Sequence, residues 1–208
     1  MNKVYALKDL SYKINNTYIL KDINCNIINK SITVIKGHNG AGKTSFLRLL
    51  YGLDSPTSGH VYRNFDHDNT ELSYLFQNSI FLNRSVKENL IHILKCKKIS
   101  KQNWEDIILD ALIKFNLAYL YNHNINVLSG GELQLLAVIR SILIQPDILF
   151  LDEPTNNLDK KNISYISKMI MELNNKGSTV IIVCHDELLL KNFEYNEITF
   201  EKGLLNHA

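Results

Sequence analysis

One glycine-rich run constrains the fold of this chain more than any other feature, because of what flanks it. The run is Gly37-His38-Asn39-Gly40-Ala41-Gly42-Lys43-Thr44, which matches the pattern G-x-x-x-x-G-K-[ST]. A short β-branched stretch at residues 32–35 precedes it, and residues 45–50 follow with helical composition. The order strand, glycine-rich turn and helix predicts a P-loop and therefore an α/β fold.

The chemistry of this run predicts binding of a nucleotide's phosphates. Glycines let backbone N–H groups turn toward a phosphate, and the start of the next helix adds partial positive charge. Lys43 adds a point charge, and Thr44 offers a hydroxyl to Mg²⁺. The predicted phosphate-binding residues are Gly37, His38, Asn39, Gly40, Ala41, Gly42, Lys43, Thr44 and Ser45. A glycine-rich turn without a ligand is the alternative, and the matching flanks favour the P-loop.

Length and composition narrow the class of protein further. The 208 residues suit one α/β domain spanning 1–208. The net charge of +2 and the scattered basic residues argue against a dedicated nucleic-acid binder. Three distant cysteines indicate neither a disulfide framework nor a zinc site, and no segment has the length and apolarity of a secretory signal or a membrane span. We therefore expect a soluble protein of the reducing cytosol.

Hydrophobic patterning predicts the arrangement around the P-loop. Residues 4–36 alternate short β-like stretches with polar turns, which predicts an antiparallel β layer. Apolar residues recur at helical spacing from 85 to 120, and a further helix follows Ser129, so a helical subdomain is predicted at about residues 85–145 with Trp104 and Tyr119 in its core. Continuous apolar runs at 148–151 and 179–184 predict buried strands of a mostly parallel sheet.

Polar residues that follow the two apolar runs are candidates for catalysis, because the carboxyl ends of parallel strands share one edge of the sheet. Asp152 and Glu153 follow the first run, and His185 follows the second. Asp152 would orient Mg²⁺, and Glu153 would act as the base or positioner for an attacking water. His185 would contact the γ-phosphate. The alternatives are two surface acids that end a strand and a structural histidine; the preceding P-loop favours the catalytic interpretation.

The order of further short motifs resembles the ATP-binding subunit of ABC transporters over essentially the full length of the chain. Gln77 is similar to the family's Q-loop residue, and Leu128-Ser129-Gly130-Gly131-Glu132 resembles its signature sequence with Glu in the place of the more usual Gln. Asp152-Glu153-Pro154 resembles the end of the Walker B motif, Asn156-Asn157-Leu158-Asp159 the D-loop, and His185 the H-loop. The resemblance implies an ABC-type ATPase core within the P-loop NTPase fold.

The resemblance also implies a mechanism and a set of site residues. Two domains would meet head to tail, with each ATP held between the P-loop of one and the signature of the other. Because Ser129 opens a helix, its start forms a second phosphate-binding end. The implied catalytic residues are Glu153, His185, Gln77 and Lys43; the implied metal ligands are Thr44, Gln77 and Asp152; and the residues implied to bind nucleotide across the interface are Ser129, Gly130, Gly131 and Asp159.

The implied cofactors are ATP and Mg²⁺. The implied partners are an integral-membrane permease, a second ATPase domain that is either a copy or a paralogue, and a possible solute-binding protein, with no nucleic acid. The resemblance thus implies a location in the cytoplasm, peripheral on the inner face of the membrane.

The sequence departs from the family pattern at two places. Ile14 stands where the family often has an aromatic residue that stacks on adenine, with Tyr12 and Tyr18 nearby. In the signature helix, Gln134-Leu135 replaces a more usual Gln-Arg.

Several functions fit these motifs. Residues 77–89 are similar to those of bacterial importer ATPases of the tungstate and molybdate type, so an oxyanion importer is the first expectation. A small exporter, including a haem-export type, is the alternative. A soluble ABC ATPase acting on ribosomes or DNA is disfavoured, because the chain has neither a second P-loop nor a long heptad region. A nucleotide switch with little turnover is disfavoured by the intact set Lys43, Asp152, Glu153 and His185.

Overall fold

The computed structural model describes residues 2–97 and 100–206, which form two β-sheets and a set of α-helices. The strands are β1 (Lys3–Ile14), β2 (Thr17–Ile28), β3 (Ile32–Lys36), β4 (Ser58–Arg63), β5 (Leu72–Leu75), β6 (Ile148–Asp152), β7 (Thr179–Val183), β8 (Tyr195–Glu201) and β9 (Leu204–Asn206). The helices are α1 (Lys43–Tyr51), α2 (Val86–Cys96), α3 (Trp104–Lys114), α4 (Gly130–Ile142), α5 (Lys160–Asn175) and α6 (Glu187–Leu190). None of the described helices has the length and apolarity needed to cross a membrane.

The antiparallel layer predicted near the amino terminus is present, with strand order β2-β1-β4. Asn15 and Asn16 form the tight turn between β1 and β2, and both have positive φ angles, of 48° and 63°. Asparagine tolerates this backbone region better than most residues, which explains its use in the turn. The next strand, β3, leaves this layer and joins the second sheet, so it carries the P-loop out of the antiparallel layer.

The second sheet is mostly parallel and has the strand order β5-β6-β7-β3-β8-β9. Its first five strands are parallel, and only β9 at the edge runs antiparallel. Every residue of β6 and β7 is buried, which accounts for their continuous apolar sequences. Because β6, β7 and β3 are adjacent, the segments that follow them lie together at one edge of the sheet.

Two hydrophobic cores lie on opposite faces of this sheet, because successive side chains of a strand alternate between faces. Phe150 of β6 packs in one core with Phe46 and Leu47 of α1 and with the antiparallel layer. Leu149 and Leu151 belong to the other core, which the helices α2 to α5 cover. The sheet therefore separates the two cores, and α1, the helix that follows the P-loop, packs on one face of it.

The helices α2, α3 and α4 lie within the predicted insertion at residues 85–145. Its division from the rest of the 1–208 domain remains a prediction, and that range includes positions outside the described residues. Trp104 is partly buried against the core as predicted. The expectation for Tyr119 was wrong: its side chain is 61% exposed. Its hydroxyl donates a hydrogen bond to Glu132, so a polar partner at the start of α4 keeps the ring at the surface.

Candidate nucleotide-binding site

The glycines of the P-loop occupy positions that a side chain would disturb. A Cβ atom on Gly37 would lie 2.3 Å from the carbonyl oxygen of Phe200, and Gly37 has a φ angle of 142°. Gly42, at the N-cap of α1, has a φ angle of 97° and provides no side-chain cap. No acidic residue occupies the first turn of this helix. The N–H groups at the start of α1 are therefore not satisfied by a capping side chain, which suits an anionic ligand.

Lys43 lies inside the loop rather than in solvent. Its side chain is buried, and its ammonium group donates hydrogen bonds to the carbonyl oxygens of Gly37 at 2.6 Å and His38 at 2.9 Å. The loop thus curls around the cation and holds it beside the open glycines. A buried ammonium group with only neutral acceptors suits an anionic group such as a phosphate.

Two predicted phosphate-binding residues contribute differently from the others. Ala41 packs in the hydrophobic core, and its N–H donates to the carbonyl oxygen of His38 at 3.1 Å. The His38 ring lies between the carbonyl oxygen of Asn39, 2.8 Å from Nδ1, and the N–H of Lys202, 3.3 Å from Nε2. Since Nε2 must accept from Lys202, we assign the proton to Nδ1. Both side chains support the loop and do not face its cavity.

Two neighbouring cavities form the site, and they share the residues Asn39 and Glu153. The first has a volume of 340 Å³ and is lined by Ile19, Asn39, Gly40, Gly42, Lys43, Thr44, Ser45, Gln77 and Glu153. The second has a volume of 430 Å³ and is lined by Asn39, Glu153, Thr155, Asn156, Asn157, Cys184, His185 and Asp186. The fold therefore brings the P-loop, Gln77, Glu153 and His185 together from distant parts of the sequence.

Glu153 is held by contacts to its backbone and to its carboxylate. Its φ angle of 50° lies in the left-handed region, which non-glycine residues adopt at a cost. Its N–H donates to the carbonyl oxygen of Val183 in β7 at 2.9 Å. Its Oε2 atom accepts hydrogen bonds from the Gln77 amide at 3.2 Å and the Asn156 amide at 2.8 Å. Gln77 donates this bond through its amide nitrogen, and its amide oxygen is not used in the contact.

Asp152 is a buried carboxylate at the end of β6 that lines neither cavity itself and is hydrogen-bonded to Thr44, which lines the first. Burial raises the pKa of Asp152, and the neighbouring Glu153 adds to the rise, whereas a hydrogen bond from the Thr44 hydroxyl and the charge of Lys43 oppose it. A carboxylate beside a hydroxyl is an oxygen donor set of the kind that Mg²⁺ prefers. Among residues 2–97 and 100–206, no group of three His, Cys, Asp or Glu side chains forms a complete metal cage.

The signature residues and Asp159 do not line either cavity within the same chain. Ser129 is exposed at the N-cap of α4, where its hydroxyl donates to Glu132 at 2.7 Å. Gly130 is exposed beside it, and a Cβ on Gly131 would lie 3.7 Å from the carbonyl oxygen of Asn157. Asp159 caps α5 by accepting the N–H of Asn162 at 2.8 Å. The second predicted phosphate-binding end therefore lies outside this chain's own P-loop cavity.

Ile19 lines the first cavity, and sequence reasoning did not identify it as a site residue. Neither tyrosine near the expected adenine position lines the cavity. Tyr12 is partly buried against the core, and the ammonium group of Lys13 lies 4.2 Å from the centroid of the Tyr18 ring. Ile19 falls at an irregularity of the β1–β2 pairing, between the partners Leu20 and Tyr18. Alternation along a regular strand does not reveal such a position.

Comparisons with known proteins agree with this geometry. A family model described as ABC transporter matches residues 20–156. The lipoprotein-releasing system ATP-binding protein LolD of Buchnera aphidicola is 36% identical over 205 residues, covering 92% of this chain and 88% of that protein. The spermidine/putrescine import ATP-binding protein PotA of Legionella pneumophila is 32% identical, and the match covers 95% of this chain but 56% of that protein.

Solved structures show the same architecture. The dimeric structure of an ATP-binding cassette in a post-hydrolysis state, bound to ADP and Pi, is 28% identical to this chain with a TM-score of 0.85. That match covers 98% of this chain and 97% of the solved one. Both the P-loop geometry and these likenesses lead to one assignment: the chain belongs to the ABC transporter family, as an ATP-binding domain that hydrolyses ATP.

Proposed function

We propose that this chain drives a membrane transporter and that it works as one of two ATPase domains that close head to tail on ATP. The observation that carries the proposal is the separation of two phosphate-binding ends. One is the P-loop cavity with Glu153, and the other is the exposed start of α4 at Ser129. A helix start with exposed small residues can receive an anion from a second molecule once the Glu132 carboxylate, which caps this start within the single chain, moves aside. A second domain would therefore complete each site.

In this proposal each residue in and around the two cavities has a distinct role. The ammonium group of Lys43 and the N–H groups at the start of α1 bind the phosphates. Thr44, Asp152 and Gln77 would hold Mg²⁺, which supplies charge neutralisation for the phosphates when bound. Glu153 orients a water molecule and accepts its proton, while the amides of Gln77 and Asn156 keep the carboxylate in place. His185 contacts the γ-phosphate from the neighbouring cavity.

Closure and opening of the pair would provide the mechanical output. Bound ATP favours the closed pair because it contacts both domains, and loss of the γ-phosphate removes that bridge. The segment after Gln77 suits transmission to a membrane partner, since it exposes apolar side chains: Ile80 is 86% exposed and Leu82 is 42% exposed. The proposed partner there is an integral-membrane permease, which would hold the domain on the cytoplasmic face of the membrane.

The cargo and the direction of transport are separate parts of the proposal. We propose import of an oxyanion such as tungstate or molybdate, supported by the sequence of residues 77–89 and requiring a solute-binding protein. Export or release from the membrane is the second candidate, favoured by the 36% identity to a protein named for lipoprotein release. Stimulation of ATPase activity by oxyanion-loaded binding protein supports the first, and stimulation by a membrane-embedded substrate supports the second.

Purification of the tagged chain from gently solubilised membranes tests the central proposal. We expect an integral-membrane protein to accompany it in a fixed ratio and to raise its ATPase rate after reconstitution in vesicles. Recovery with ribosomes or DNA instead of a membrane protein would overturn the transporter assignment. The measurement is the composition of the purified complex by mass spectrometry together with phosphate release.

Replacing Ser129 with arginine is expected to prevent ATP-dependent dimer formation. The side chain is exposed at the start of α4, so a long substituent would occupy the space in which the opposing γ-phosphate lies in the proposed pair. The mass of the ATP-bound form by light scattering checks the result. Ile113→Arg, which adds the same charge at a 61% exposed position on α3, is the control and should dimerise normally. Unchanged dimerisation of Ser129→Arg would count against the shared site.

A further inference from the structure

Cys184 lies in the wall of the cavity that contains Glu153 and His185. It follows β7 directly, precedes His185, and is 1% exposed at its place in the wall of the 430 Å³ cavity. Glu153 and His185 line the same cavity. A buried thiol between two strand-end loops is therefore close to the proposed reaction centre.

The sulfur atom of Cys184 closes the turn that contains His185. The N–H of Asp186 donates a hydrogen bond to Sγ at 3.2 Å, so the two residues that flank His185 are tied to each other. The Asp186 carboxylate in turn accepts the N–H groups of Leu188 at 2.9 Å and Leu189 at 3.3 Å. The backbone of His185 is consequently fixed between the end of β7 and the start of α6.

A second contact of Cys184 connects this turn to the loop that follows β6. Thr155, two residues after Glu153, lines the same cavity as Cys184, and its hydroxyl donates a hydrogen bond to the sulfur. Burial raises the pKa of Cys184, which keeps the proton on the sulfur. The protonated thiol also donates a weak hydrogen bond to the carbonyl oxygen of Asp186 at 4.0 Å, so the sulfur both accepts and donates.

We propose that Cys184 is a positioning residue, which holds the loop carrying Glu153 and the turn carrying His185 in one fixed relation through Thr155 and Asp186. The inference rests on the proposed roles of Glu153 and His185. Its physical basis is that small displacements of reacting groups cost much more in rate than in binding. Loss of the thiol should therefore lower kcat and leave the KM for ATP unchanged.

Three substitutions separate positioning from packing. Cys184→Ser keeps a group that donates and accepts, Cys184→Ala removes it, and Cys184→Val fills the space without hydrogen bonding. We expect alanine and valine to lower kcat roughly three- to tenfold, the effect of one or two lost hydrogen bonds, with an unchanged KM for ATP. Serine should stay within about twofold of the natural protein. Cys25→Ala, which removes a thiol from β2, is the matched control and should keep full activity.

Steady-state phosphate release by the assembled transporter, with Tm measured for each variant, decides the matter. An unchanged kcat of Cys184→Ala or Cys184→Val would overturn the proposal. So would a loss of kcat in Cys184→Ser as large as the loss in Cys184→Ala. If alanine fails to fold, the comparison of serine with valine gives the same decision. Glu153→Gln and His185→Ala are assayed beside them: if these two retain full activity, the proposed catalytic roles fail, whereas their inactivity with an active Cys184→Ala refutes the positioning role alone.

Discussion

Substitution of glutamine for Glu153 is expected to slow ATP hydrolysis roughly 100-fold or more, the usual contribution of a positioned general base. Glutamine has nearly the same shape but cannot accept the proton of the attacking water. ATP binding should persist, because Lys43 and the P-loop are unchanged. The ATP-bound dimer should then accumulate, since the bridging γ-phosphate is no longer removed. Phosphate release and the mass of the ATP-bound protein measure the two effects.

A glutamate outside the site provides the control for this experiment. Glu172 on α5 is half exposed and lies 3.6 Å from Lys114, so Glu172→Gln removes the same charge at a distance from the cavities. It should hydrolyse ATP at the natural rate. Full ATPase activity of Glu153→Gln in the assembled transporter would show that another group acts as the base.

Removal of the ammonium group at Lys43 is expected to weaken nucleotide binding by about 2–4 kcal/mol, or roughly 30- to 1000-fold in Kd. Lys43→Ala removes the buried cation and also its hydrogen bonds to the carbonyl oxygens of Gly37 and His38. Those carbonyl groups would then face the phosphates without a compensating donor. Titration with a fluorescent ATP analogue measures the change.

Lys36 offers a matched control one residue before the P-loop. Its ammonium group bonds the Glu197 carboxylate at 2.6 Å and does not line the P-loop cavity. Lys36→Ala should therefore bind nucleotide with the natural Kd. Equal affinity of Lys43→Ala and the natural protein, at equal Tm, would contradict the role given to Lys43.

The parts of the site that sequence patterns predicted are those that local chemistry determines. The P-loop is one continuous run, so its glycines, its lysine and its flanks are all visible together. Glu153 and His185 each follow an apolar run, and parallel strands place such positions at one edge of the sheet. The antiparallel layer was predicted from short alternating stretches with polar turns, and the structure confirms it.

The remaining features depend on contacts between distant segments. Ile19 reaches the cavity because the β1–β2 pairing is irregular there, and Tyr119 stays exposed because its hydroxyl finds Glu132. The hydrogen bonds between Gln77 and Glu153 and between Thr155 and Cys184 join residues that lie far apart along the chain. These contacts depend on the strand order, and the local sequence patterns do not give that order.

The position of β7 between β3 and β6 has a consequence for synthesis of the chain on the ribosome. The P-loop emerges before the strand that ends in Asp152, and both precede Thr179–Val183, which pairs with β3 on one side and β6 on the other. The Glu153 N–H finds its acceptor, Val183, only at that stage. The P-loop and the Glu153 backbone therefore reach their final relation to each other only after β7 has inserted between the strands that carry them.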